Sequence, residues 1–129
     1  MSTVYLIQEP RPSIYTGRTN DVREAEKFGR IITLVLPGER PSDTPGPIYQ
    51  ELRRRLRDAR PDDYILWSGG DPAGLLLCGA VLYELGLPSI RFLKWERVRD
   101  LVNGQRVPTG KGKYFPVEMV FRKTEKVNG

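Results

Sequence analysis

Apolar runs punctuated by glycine and proline divide the chain into alternating strand-like and helix-like segments. Thr3-Val4-Tyr5-Leu6-Ile7-Gln8 is rich in β-formers and is stopped by Pro10 and Pro12. A loop through Asn20 follows. Asp21 then starts a short helix to about Phe28, with Glu24 three residues on as in a capping box and Gly29 as its stop. Arg30 to Leu36 reads as the second strand, ended by Pro37-Gly38. A proline-rich connector leads to the clearest amphipathic helix, Pro47 to Ala59. Ile48, Tyr49, Leu52, Leu56 and Ala59 share one face of it, and Gln50, Arg53, Arg54, Arg57 and Arg60 spread over the other.

Tyr64-Ile65-Leu66-Trp67-Ser68 is apolar on both sides of the pleat, the pattern of a strand covered on both faces. After Gly69-Gly70, Asp71 caps a helix with Pro72 at its first position, running to about Leu85 and closed by Gly86 and Pro88. That helix is apolar nearly all round, with Glu84 its only charge. It must be buried on most sides or show an apolar face to a partner, and Gly74, Cys78 and Gly79 favour close packing. Ile90 to Trp95 is a further strand. Arg97 to Lys113 is charged and glycine-rich, with a hairpin signal at Asn103-Gly104 and a basic loop expected over Gly104 to Lys113. Tyr114 to Arg122 alternates again, with Val117, Met119 and Phe121 on one face.

Strand–helix–strand units favour parallel pairing with right-handed crossovers. The expected fold is a single α/β domain over 1–129. It has a mixed sheet of about five strands, parallel at the centre and antiparallel at the C-terminal hairpin, with two main helices and one short one. Residues 123–129 are expected to be a frayed tail. At 129 residues the chain needs no disulfide or metal to fold. Its longest apolar run, Ala73 to Tyr83, is too short to span a bilayer, and the N-terminus lacks the layout of a signal peptide, so a cytoplasmic setting is expected.

With no histidine and one cysteine, Cys–His and Ser–His pairs, an intrachain disulfide and the usual zinc sites are excluded. Cys78, inside an apolar run, reads as a core residue. Asp62-Asp63 reads as a helix-to-strand turn, not a two-metal carboxylate set. No catalytic residues, metal or cofactor are expected.

A net charge of +5 suits an acidic partner, either nucleic acid or a protein surface. Three features carry candidate chemistry. At Ser68, Gly69, Gly70 and Asp71 a strand-to-helix turn sits where open α/β folds bind ligands. Against an anion site there, Asp71 adds a negative charge and Pro72 removes a donor. Arg53, Arg54, Arg57 and Arg60 could track a phosphate backbone or dock on an acidic protein, or could form a solvated face paired to Glu51 and Asp58. Arg106, Lys111 and Lys113, beside Tyr114 and Phe115, match a single-strand nucleic-acid contact or a long hairpin loop.

The stretch Asp21-Val22 with Glu24-Ala25, Lys27-Phe28-Gly29-Arg30, then Leu36-Pro37-Gly38, Asp62-Asp63-Tyr64-Ile65-Leu66 and Gly70-Asp71-Pro72, resembles small accessory proteins of tailed bacteriophages. The likeness covers most of residues 3 to 121. In those proteins a shorter turn joins the last two strands, so Val98 to Gly112 reads here as an insertion. The resemblance implies a phage origin and a host-cell setting; it transfers no activity and no catalytic residue. The expected function is therefore non-enzymatic binding and modulation of a host macromolecule, a protein such as transcription or defence machinery. Sequence-tolerant nucleic-acid binding, and nucleotide or phosphate binding at Gly69 to Asp71, are the alternatives.

Overall fold

A computed structural model describes residues 2–9, 22–36 and 38–122. The loop expected up to Asn20, the Asp21 cap, Pro37 and the tail at 123–129 lie outside the described residues. Five strands form one sheet in the order β2-β1-β3-β4-β5: β1 Thr3–Gln8, β2 Arg30–Val35, β3 Tyr64–Leu66, β4 Ser89–Val102 and β5 Gln105–Val120. β1 pairs in parallel with both β2 and β3, β3 pairs in parallel with β4, and β5 closes antiparallel on β4. The mixed α/β sheet expected from the alternation of elements is thus observed.

Two helices, α1 (Pro45–Leu56) and α2 (Pro72–Glu84), pack side by side on one face. Tyr5, Ile7, Ile65 and Ile90 point from the sheet into a core with Ile48, Leu52 and Leu56 of α1 and Cys78, Val81 and Leu82 of α2. Because side chains alternate along a strand, Val4, Leu6, Tyr64, Leu66, Leu93 and Tyr114 point the other way. Among the described residues, that second core is covered by a 3₁₀ helix, Arg23–Phe28, through Ala25 and through Phe28, which meets Tyr64 edge-on at 5.3 Å.

The short first helix is 3₁₀ over its whole length, with Val22 at its N-cap position making no side-chain cap bond. Six residues leave no room for an established α-helical ladder. α1 begins two residues earlier than its apolar periodicity indicates, since Pro45 and Pro47 both fit a first turn that needs no N–H. Ala59 is buried as expected, in a turn whose N–H donates to the Leu56 carbonyl. On α2, Asp71 caps by accepting from the Ala73 N–H at 3.0 Å. Gly74 allows close approach to β1, a Cβ there standing 3.2 Å from Ile7, whereas Gly79 faces open space.

The largest departure is the segment Arg97–Lys113. It is not a loop: β4 and β5 stay paired through it to the two-residue turn Asn103-Gly104, with one register shift between Arg97 and Arg99. Asn103 and Gly104 both take positive φ, 51° and 78°, as in the hairpin turns whose twist matches the strands they join. That turn chemistry sets the pairing. Glycines and charges on both faces of the ribbon hide it from a pattern reading, because no buried side imposes a period of two.

Candidate functional site

The sheet's connections reverse direction between β1 and β3. β1 leads outward to β2, and β3 leads the other way to β4. In open α/β sheets the crevice beyond the carboxyl ends of such a strand pair is the usual ligand position. Here it is a cleft of about 750 Å³ lined by Gln8, Glu9, Glu39, Arg40, Ser42, Ser68, Gly69, Gly70, Asp71 and Pro72. All four residues of the turn singled out in the sequence therefore line it.

Its walls are held by two polar side chains. Gln8, buried at the end of β1, donates from Nε2 to the carbonyls of Leu36 and Glu39 at 2.9 and 2.8 Å, tying down the loop after β2. Its Oε1 lies 2.9 Å from where a Cβ on Gly70 would stand, and Gly70 has φ +98°, so this turn needs glycine twice over. Asp71 Oδ2 accepts from Ser42 N at 2.9 Å and from Ser42 Oγ at 2.5 Å, while Oδ1 accepts from Ala73 N. The Ser42 side-chain bond, then the Ser42 and Ala73 backbone bonds, hold the Asp71 carboxyl below its ordinary range. Asp71 thus fastens the 39–43 loop to the start of α2. With Glu9 and Glu39 also lining it, the cleft carries more carboxylate than cationic charge among the described residues, where Arg40 is its one cation. Gln8, Ser42 and Arg40 were not singled out in the sequence; the signal was Gln8 itself, a polar residue closing an apolar central strand.

The arginines of α1 and of the turn after it are engaged within the molecule. Arg54 and Arg55 both bind Glu51, whose carboxyl is lowered to about 2 by these two guanidinium hydrogen bonds. Arg53 lies 3.4 Å from Glu84 on α2, Arg57 3.8 Å from Asp58, and Arg60 3.7 Å from Asp62. α1 packs on β2 and α2, while Arg106 and Lys113 belong to the ribbon of β4 and β5 at the far edge of the sheet. The two basic groups are not brought together. The Lys111 side chain lies outside the described residues. Tyr114 is buried edge-on against Trp95 at 4.8 Å, which leaves Phe115 as the surface ring, with Lys113 Nζ 5.1 Å above it.

A second surface is apolar. α1 and α2 cover the β2-β1-β3 side of the sheet, and no described element lies over β5 on that face. In register, Met119 stands opposite Ile90, Val117 opposite Phe92 and Phe115 opposite Lys94, so all three share the helix-side face. Met119 is 43 % exposed, Val117 45 % and Phe115 36 %. Beside them α2 exposes Tyr83 (54 %) and Leu76 (75 %). The Tyr83 ring meets Phe121 edge-on at 6.4 Å, joining helix and strand into one patch, and Arg122 lies over the same ring at 4.5 Å. Of the two readings the sequence left for α2, Leu76 and Tyr83 take the exposed one while Cys78, Val81 and Leu82 are buried; the exposed side of β5 did not stand out from its alternation.

No described helix is long and apolar enough to cross a membrane, and no described His, Cys, Asp and Glu group could hold a metal ion. Fold and surfaces together define a small doubly wound α/β protein with a polar cleft at its strand reversal and an apolar face beside it. The family of phage Pam3 gp32-like proteins matches residues 2–102, and the chain belongs to that family. The matched span ends on the last residue of β4. No curated protein and no solved structure matches the chain.

Proposed function

We propose that this phage protein is a non-enzymatic accessory factor that acts in the host cytoplasm by binding a host protein and modulating it. The observation that carries this reading is the contiguous exposed apolar surface along α2 and β5. Exposed apolar residues scattered singly are ordinary, but a patch of several large side chains on one face marks interaction surfaces. The engaged arginines of α1 point the same way: cations already paired with Glu51, Glu84 and Asp58 give less of the free positive field that phosphate binding uses. Affinity capture from host lysate with the full chain tests the reading. A stoichiometric protein partner, retained after nuclease treatment, is expected; recovery of none would overturn it.

A ligand in the cleft at Gly69 to Asp71 is the second reading, favoured by its place at the strand reversal. A nucleotide there at 100 times its dissociation constant adds about 2.7 kcal/mol of stability. A thermal-shift screen without any response would remove it.

A further inference from the structure

The apolar face can take the flank of one more helix. Adjacent strands lie about 4.8 Å apart, and Ile90 of β4 is already buried under the helices with Phe92 packed against them, so the open strip is the helix-side face of β5, bordered by β4 and by the flank of α2. On this face α1 and α2 already sit side by side across the other strands. Where a third crossover helix would follow, the chain turns back as a hairpin instead. Among the described residues, the open floor of the strip is Phe115, Val117 and Met119, with Phe92 at its inner edge against the helical core. Its wall is the flank of α2. Tyr83 faces the strip through its contact with Phe121, and Leu76, seven residues earlier, falls within about 20° of the same helical direction.

We propose that this strip is the seat of an amphipathic helix from the partner protein, one that carries acidic residues at the ends of its apolar stripe. The inference rests on the reading that the chain works by binding a protein. The charge around the strip selects the occupant. Lys94 and Lys113 stand at the end toward the hairpin ribbon and Arg122 at the other, with Glu96 the acidic neighbour, 3.5 Å from Lys94. Acidic ends therefore meet cations at both ends of the seat, and basic ends are repelled. The same cations argue against a second copy of this chain, because a two-fold contact through this face would set Lys94, Lys113 and Arg122 against their own equivalents at a net charge of +5 per chain. Pairing edge to edge is blunted as well, since Pro116 sits within β5 and contributes no N–H.

The test uses the full chain, isotope-labelled, titrated with two helix-forming peptides that share one leucine stripe and end in either glutamates or lysines. With the glutamate peptide, amide shifts at residues 76, 83 and 115–119 are expected, with about tenfold tighter binding than the lysine peptide at low salt and a narrowing gap as the Debye length shrinks. Leu76→Asp and Val117→Asp, both at exposed positions, should each abolish the shifts while leaving the thermal midpoint unchanged; Leu101→Asp on the ribbon should leave them intact. Equal binding of both peptides, shifts centred elsewhere, or no shifts at millimolar glutamate peptide would overturn the proposal. So would a dimer in sedimentation that Val117→Asp dissolves. Lysate capture separates the two levels. If the wild-type chain and Val117→Asp retain the same partner equally, the seat is wrong and protein binding stands; if the wild-type chain retains none, protein binding itself falls.

Discussion

Asp63 gives a quantitative test of how the sheet is anchored. It is 2 % exposed, and its two carboxylate oxygens each serve a different part of the chain. Oδ1 accepts from the Thr3 N–H at 2.9 Å, fixing the start of β1, and Oδ2 accepts from the Arg60 N–H at 2.9 Å, closing the turn between α1 and β3. Asp63→Ala removes both acceptors and leaves two part-buried N–H groups without a partner. At about 1.5 kcal/mol for each lost charged hydrogen bond, the expected loss is about 3 kcal/mol. For a domain of this size that lowers the melting midpoint by about 12 °C. Asp63→Asn keeps one carbonyl oxygen and should fall about halfway. The assay is urea unfolding followed by tryptophan fluorescence, with thermal melts in parallel. Asp63 also acts on Tyr5, whose hydroxyl pKa is raised first by burial and then by this carboxylate, so Asp63→Asn should bring it back toward 10. Midpoints for Ala and Asn within error of the wild type would refute the clamp.

Burial pushes the Cys78 thiol up to about 12, so the folded protein should resist thiol reagents at pH 8 and react fully in denaturant; rapid native labelling would contradict its core position. Gly70→Ala meets both the positive φ and the Gln8 oxygen, and about 1 to 3 kcal/mol of stability should be lost, read from the same urea curves. The raised Tyr5 pKa contributes stability that is fully present below pH 10 and is lost as pH rises through the folded value. Tyr5→Phe should therefore flatten the alkaline decline, and an unchanged pH profile would count against it.

Most of the fold was legible because its signals are local. Gly38 after β2, Gly86 after α2 and the capping Asp71 stand at positions where the chain does turn, and the Asn103-Gly104 pair marks the hairpin tip. The length of β4 and β5 was not legible. A two-stranded ribbon with solvent on both faces is specified by turn geometry and backbone pairing, which leave little trace in side-chain patterning. The same limit applies to the cleft. Ser68 to Asp71 were visible as a strand-to-helix turn, but Gln8, Arg40 and Ser42 join them only through parallel pairing of strands more than 50 residues apart. The apolar face was half legible: the all-round apolar character of α2 left open either burial on most sides or an apolar face turned outward, whereas the uncovered side of β5 depends on where the last helix stops.

Of the five strands, the first in chain order ends up inside the sheet and not at its edge. β1 lies between β2 and β3, so Val4 to Ile7 cannot gain both neighbours until Leu66 has been synthesised. During translation these apolar side chains wait for partners encoded far downstream, and long-range parallel pairing is slow to form. A nascent chain halted before residue 66 therefore has no stable sheet to offer. Ribosome-stalled fragments ending at residues 60 and 100 should differ sharply in protease resistance at their first eight residues.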